Sequence, residues 1–222
     1  IELGYPEAEL DSITLAGGSW YGLEAATAVG SAIKEDGLRN GDWDDVALAT
    51  GSIIYDLGPR RLNEIVPDKR LAQAAFRAAK PNVFRLGSAG AGRMAKTGGM
   101  FGCRAYGGQG AAFRQIGELK IAVFTVVNAY GVLVDRQNQL AACYRDPKWP
   151  ANVNVTDLMG ALPATFSEGW TGQPLPGGNT TISVVVVNQK MDPAQLNRLA
   201  AQVHTSMSRA IQPFATISDG DV

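Results

Sequence analysis

The chain has 222 residues with 20 basic and 21 acidic side chains and no long run of either sign, a balance that argues against a nucleic-acid or membrane-surface footprint. That length sustains a core without staples, and Cys103 and Cys143 stand outside any CxxC spacing or histidine cluster, so no metal site, cofactor or disulfide framework is suggested. No apolar run reaches the roughly 20 residues of a membrane span and residues 1–6 do not resemble a secretory signal, so a reducing cytoplasm is the simplest setting, with neutral small molecules or further copies of the chain as partners.

In chain order, residues 20–36 carry small and apolar side chains at helical spacing, with Leu23, Ala26, Val29, Gly30 and Ile33 as the packed face. Residues 46–57 read as extended, and residues 69–79 as a second helix stopped by Pro81. Glycines then cluster in residues 87–110 and again in 169–178, a density that means tight turns or close backbone approach. Residues 119–134 read as β-rich, interrupted at Asn128-Ala129-Tyr130-Gly131 by a bulge or hairpin turn. Residues 144–179, rich in proline and glycine and without periodicity, read as a loop or linker.

A second β run starts at Thr180. Asp192-Pro193 supplies an N-cap and a favoured first helical residue. The helix that follows, 194–211, repeats Leu196, Leu199, Ala200, Val203, Met207, Ala210 and Ile211 on one face and ends before Pro213. Strands apolar on both faces, interspersed with helices, imply an α/β (α+β) domain with two central sheets inside and helices outside.

Two glycine motifs fail on inspection. Gly87 and Gly92 stand five apart as in a phosphate loop, but Arg93 follows where a lysine is needed and no hydroxyl comes after it. A dinucleotide fingerprint fails because Ala89 occupies the second glycine position. A glycine-lined wall against another backbone or a substrate is the remaining use. His204, the only histidine, lies beside the apolar face of the long helix, where a boundary role fits better than catalysis. A serine or cysteine triad therefore lacks a base.

The junction Gly177-Gly178-Asn179-Thr180 precedes the apolar run 181–187. As a plain glycine-rich loop it would feed a buried strand. Alternatively, Thr180 attacks the Asn179 carbonyl, and hydrolysis of the resulting ester leaves Thr180 as a new amino terminus carrying both nucleophile and amine. Asp219 and Asp221, if extended, project from one face, where mutual repulsion raises the pKa of one of them.

Several separated patches carry a resemblance: Gly17-Gly18-Ser19 through Gly22-Leu23-Glu24-Ala25-Ala26, Ile54-Tyr55-Asp56-Leu57-Gly58, Gly90-Ala91-Gly92, Val127-Asn128-Ala129-Tyr130-Gly131, Asn179-Thr180-Thr181 and Asp219-Gly220-Asp221. Together they resemble the self-processing DmpA-type aminopeptidases, and within them the branch of endo-type nylon-oligomer (6-aminohexanoate-oligomer) hydrolases. The resemblance implies a four-layer αββα sandwich, autocleavage between Asn179 and Thr180 into subunits 1–179 and 180–222, and amide hydrolysis without cofactor or metal. Aminopeptidase, D-amino-acid amidase and esterase, or β-peptidyl aminopeptidase activity is the alternative within the family.

Carried over by position, Thr180 is the nucleophile, Asn128 the oxyanion donor and Tyr55 a hydrogen-bonding wall of the pocket, while Asp219 and Asp221 hold the new amine and the hydroxyl. Lys96 stands in for a family lysine whose own place here is Gly99-Met100-Phe101-Gly102. The resemblance further implies a tetramer of processed pairs, and family segments beyond both ends of this chain.

Overall fold

The computed structural model describes residues 9–57, 65–101, 105–142, 154–160 and 178–222. Strand β1 (Ser12–Ala16), which the apolar pattern did not reveal, pairs in parallel with β2 (Ala49–Ile53), Ser12 opposite Ala49 and Ala16 opposite Ile53. A parallel pair needs a crossover. It is supplied by a 3-10 turn, Ser19–Leu23, running into helix α1 (Glu24–Glu35).

The buried face of α1 is Ala25, Ala28, Val29, Ala32 and Ile33, a correction to the stripe drawn through Leu23 and Ala26. Small residues allow the helix to lie close to two neighbours at once, so alanines take the interior. Leu23, on the 3-10 turn, is left exposed. Helix α2 (Lys69–Arg77) is capped by Asp68, whose side chain accepts from Leu71 N–H at 2.8 Å. Its last residue, Arg77, bridges Glu35 and Asp36 at the end of α1 and holds both carboxyls below the ordinary range.

The glycine-rich region contains β3 (Lys96–Thr97), β4 (Ala105–Tyr106) and β5 (Gly108–Ile116). β5 forms an antiparallel hairpin with β6 (Leu119–Val127), turning at Gly117 with φ 58°. β6 in turn pairs antiparallel with β8 (Ile182–Val187), giving the sheet order β5-β6-β8. Gly92 is where the expected close approach occurs, since a Cβ there would run into the backbone of Gly108 and Gln109.

The interruption at Asn128–Gly131 is neither bulge nor hairpin turn. The chain leaves the sheet there, and β7 (Val132–Leu133) pairs with β9 (Ile211–Gln212). Residues 155–160 form a short helix, α3, inside the stretch read as loop, with Val155 buried against Val132 and Val134. Residues 144–153 and 161–177 of that stretch lie outside the described residues.

Helix α4 (Pro193–Met207) starts with a capping box, Asp192 and Gln195 bonding each other's backbone N–H. It ends at Met207, four residues before the expected stop, because Ile211 enters β9. Its marked face is only half-covered. Leu199, Val203 and Met207 are half-buried, Leu196 is exposed, and no residue of the helix is fully buried.

Two apolar clusters tie the layers together. Ala16, Ala25, Ala28 and Ala72 join the β1-β2 pair to the helices. Ile54, Ala95, Val126 and Ile182, with Leu15 and Ala91, join the chain around β2 to the β5-β6-β8 sheet. Among the described residues no helix is long and apolar enough to cross a membrane.

Candidate active site

The second cluster ends where β6 and β8 stop together. Beyond Val126 and Ile182 the two chains continue side by side, and Thr180 N–H donates to Asn128 O at 2.9 Å. The Thr180 hydroxyl donates to the carbonyl oxygen of Asn179 at 2.6 Å. Residues 219–222 run parallel to this segment, with Asn179 paired to Asp219, Gly220 N–H on Asn179 O at 2.9 Å and Val222 N–H on Thr181 O at 2.9 Å. The scissile position proposed from sequence is therefore gripped between two backbones.

Asn128 is the hub of the site and is 3% exposed. Its Oδ1 accepts from Lys96 N–H at 2.9 Å, and its Nδ2 donates to Tyr55 O at 3.0 Å. Its side chain thus ties β3 to the chain just after β2, and its backbone carbonyl adds the Thr180 junction to the same locus. The expected oxyanion donor therefore has one Nδ2 hydrogen committed to Tyr55, which leaves a single N–H for a substrate.

Tyr55 follows the buried Ile54, so strand alternation turns it outward, where it is partly exposed. Its ring packs on the backbone of Gly178; a Cβ at that residue would stand 2.5 Å from Tyr55 Cδ1. Gly17-Gly18-Ser19 braces the same loop. Gly18 N–H donates to Asp56 Oδ1 at 2.6 Å, and Leu57 N–H to Ser19 Oγ at 3.1 Å.

The two aspartates differ in environment. Asp221 is buried and accepts from Thr181 N–H at 2.6 Å and Ala215 N–H at 3.1 Å. Asp219 accepts from Tyr130 N–H at 3.0 Å through Oδ2, while its buried Oδ1 finds no donor among the described residues. Burial first, and the charge of Asp221 second, push the Asp219 carboxyl up to about 7. Tyr130 is pushed up in turn, by burial and by Asp219. His204 takes the boundary role expected of it, with Nε2 3.1 Å from Asp221 O and its ring tilted on Phe214.

The structure brings Thr180, Asn128, Tyr55, Asp219 and Asp221 into one region, where Lys96 enters through its backbone N–H. Sequence reasoning missed three participants that act through backbone: Gly178 beneath Tyr55, Tyr130 N–H on Asp219, and Gly220 N–H on Asn179. Each lies inside a quoted motif, but a backbone donor has no residue-type signature.

The fold is similar to that of the L-aminopeptidase D-Ala-esterase/amidase of Ochrobactrum anthropi, described as a new variant among the Ntn hydrolase fold. That structure matches with TM-score 0.63 at 17% identity, over 91% of this chain and 50% of its own. A Burkholderia sp. beta-aminopeptidase matches with TM-score 0.61 at 15% identity, over 94% and 50%. The chain belongs to peptidase family S58, whose model matches residues 2–222.

Among curated relatives, the 6-aminohexanoate-oligomer endohydrolase of Paenarthrobacter ureafaciens is 39% identical over 214 residues, 95% of this chain and 58% of that protein. An uncharacterized aminopeptidase of Mycobacterium tuberculosis is 32% identical over 222 residues, 96% of this chain and 60% of its own. The chain spans less than two thirds of the length of these two relatives.

Proposed function

We propose that this chain is an amide-bond hydrolase whose nucleophile, the Thr180 hydroxyl, is released when the chain cuts itself between Asn179 and Thr180, and that it cleaves internal amides of 6-aminohexanoate oligomers. The observation that carries the reading is the junction itself. Thr180 Oγ lies 2.6 Å from the oxygen of the carbonyl it must attack, inside a locus that Asn128 and Asp219 also occupy. The named substrate follows from the similarity to the endohydrolases.

In self-cleavage, Thr180 Oγ adds to the Asn179 carbonyl carbon, the C–N bond breaks, and water hydrolyses the ester. The new α-amine has a pKa near roughly 8 and becomes the base for turnover. Asp219, titrating at about 7, is a second proton acceptor at neutral pH, and Lys96 is the third candidate. Asp219 and Asp221 hold the amine and hydroxyl in register. The remaining Asn128 N–H and the Tyr55 hydroxyl stabilise the substrate oxyanion, on the order of 3 kcal/mol for one well-placed donor.

The second reading is an aminopeptidase, amidase or esterase that recognises a substrate amine through Asp219 or Asp221, supported by the aminopeptidase names of the more distant relatives. Comparing hydrolysis of an internal amide in a long oligomer with that of a short amino-terminal amide separates the two. The four-layer αββα sandwich, assembly as a tetramer of processed pairs and a cytoplasmic setting complete the proposal. Its central test is intact mass of purified protein. Fragments meeting between Asn179 and Thr180 should appear in the parent and vanish in Thr180→Ala, together with turnover; a whole chain that still degrades oligoamides would end the reading.

A further inference from the structure

The Asn179 carbonyl oxygen is held from two directions, by Gly220 N–H at 2.9 Å and by the hydroxyl of Thr180 at 2.6 Å. We propose that the backbone N–H of Gly220 is the principal oxyanion donor of this site, first for scission of the Asn179–Thr180 bond and then for hydrolysis of substrate. This rests on Thr180 being the self-released nucleophile.

When Thr180 Oγ bonds to the Asn179 carbon, negative charge develops on the carbonyl oxygen. The hydroxyl can no longer donate to that oxygen, because its oxygen has become the attacking atom and its proton must leave. Gly220 N–H stays in place, and a hydrogen bond to a neutral carbonyl strengthens as the acceptor becomes an oxyanion. Collapse breaks the C–N bond, and the hydroxyl proton ends on the Thr180 nitrogen. Water then cleaves the ester, giving the Asn179 carboxylate and the free Thr180 hydroxyl.

The donor is fixed without rotamer freedom. It belongs to a rung of the parallel ladder formed by 179–183 and 219–222, whose next rungs are Val222 N–H on Thr181 O and Ser183 N–H on Val222 O. Asn128, by contrast, has one amide hydrogen tied to Tyr55 O.

The ester formed in self-cleavage and the acyl-enzyme formed in turnover have the same connectivity, an acyl carbon on Thr180 Oγ. They therefore place their oxyanions at the same point. Once residue 179 withdraws, Gly220 N–H is open to the substrate carbonyl. The room beside the nucleophile is already shaped for this: a Cβ at residue 220 would stand 3.4 Å from Thr180 Oγ and 3.6 Å from Cγ2, ordinary contact distances, so glycine keeps that volume free for an incoming acyl group.

The test exchanges one amide for an ester by building the full-length chain with glycolic acid at position 220, which deletes a single N–H and preserves shape. The same exchange at Val222 deletes the neighbouring ladder bond and serves as the structural control. Mass spectrometry follows the 179/180 fragments with time, and turnover of an oligoamide is measured on whatever matures. The Gly220 ester should slow scission by about 10²-fold and lower kcat comparably, whereas the Val222 ester should change either by less than about 10-fold. Equal slowing by both esters, or parental rates with the Gly220 ester, overturns the assignment while leaving Thr180 as nucleophile. A parent chain that never cuts itself overturns both.

Discussion

Replacing Asn128 by leucine isolates the clamp that assembles the site. Leucine matches the branching of asparagine but is bulkier and carries no polar atom, so besides overpacking the buried position it strands two backbone groups, Lys96 N–H and Tyr55 C=O, that Asn128 now satisfies at 2.9 and 3.0 Å. An unsatisfied buried group costs about 1–3 kcal/mol. Both bonds are only partly buried, so the lower end applies, and the pair should cost about 2–3 kcal/mol. Urea unfolding of Asn128→Leu in a Thr180→Ala background, which holds the chain in one piece, reads this directly. Asn128→Asp keeps the acceptor for Lys96 but turns an oxygen toward the Tyr55 carbonyl, so it should be destabilised at pH 8 and recover on acidification as the carboxyl gains a proton to donate. A loss below about 0.5 kcal/mol in the leucine variant would refute the clamp, because two stranded groups cannot cost so little unless water reaches both.

Asp219 gives a pH signature. Its folded-state carboxyl titrates at about 7 against an ordinary 3.8, so its contribution is fully present below the unfolded pKa, falls as pH rises through the folded pKa, and is flat above. After allowance for partial solvent screening, Asp219→Asn should be more stable than the parent by about 2 kcal/mol at pH 8 and equal to it near pH 4; an offset identical at both values would contradict the burial assignment. Self-cleavage should rise through about pH 7 in the parent, and the Asp219→Asn variant should lose that dependence, as time courses across pH will reveal. Gly178→Ala sets a Cβ 2.5 Å from the Tyr55 ring, so it should displace Tyr55 and slow self-cleavage at least about 10-fold, a result that parental kinetics would disprove. Thr180→Ser, which keeps the hydroxyl, should still cut itself, and a whole serine chain would count against hydroxyl attack.

The local signals held where side chains in short motifs decide the local structure. The Asp192-Pro193 pair marked a helix start, the apolar run at 181–187 marked β8, and the patches named above hold Tyr55, Asn128, Thr180 and the aspartates, which the fold brings close together. They failed where small residues or pairing partners decide. β1 and β5 carry no clean apolar alternation, since β1 is short and β5 begins with glycines and alanines. The α1 stripe was right at Val29 and Ile33 but missed the three alanines that share the interior with them, and Asn128–Gly131 looked like a turn because its destination, β7 against β9, is non-local.

What the residues alone determined, then, is the inventory: a hydroxyl after a glycine-rich junction, a pair of aspartates two apart, an asparagine at a strand end. Tertiary structure decided which backbone groups face them. Asn128 reaches Tyr55 across 73 positions and Asp219 takes its hydrogen bond from Tyr130 across 89. Every residue except proline carries the same N–H and C=O, so the identity of a backbone partner is fixed only when sheet register and chain path bring two segments within hydrogen-bonding distance.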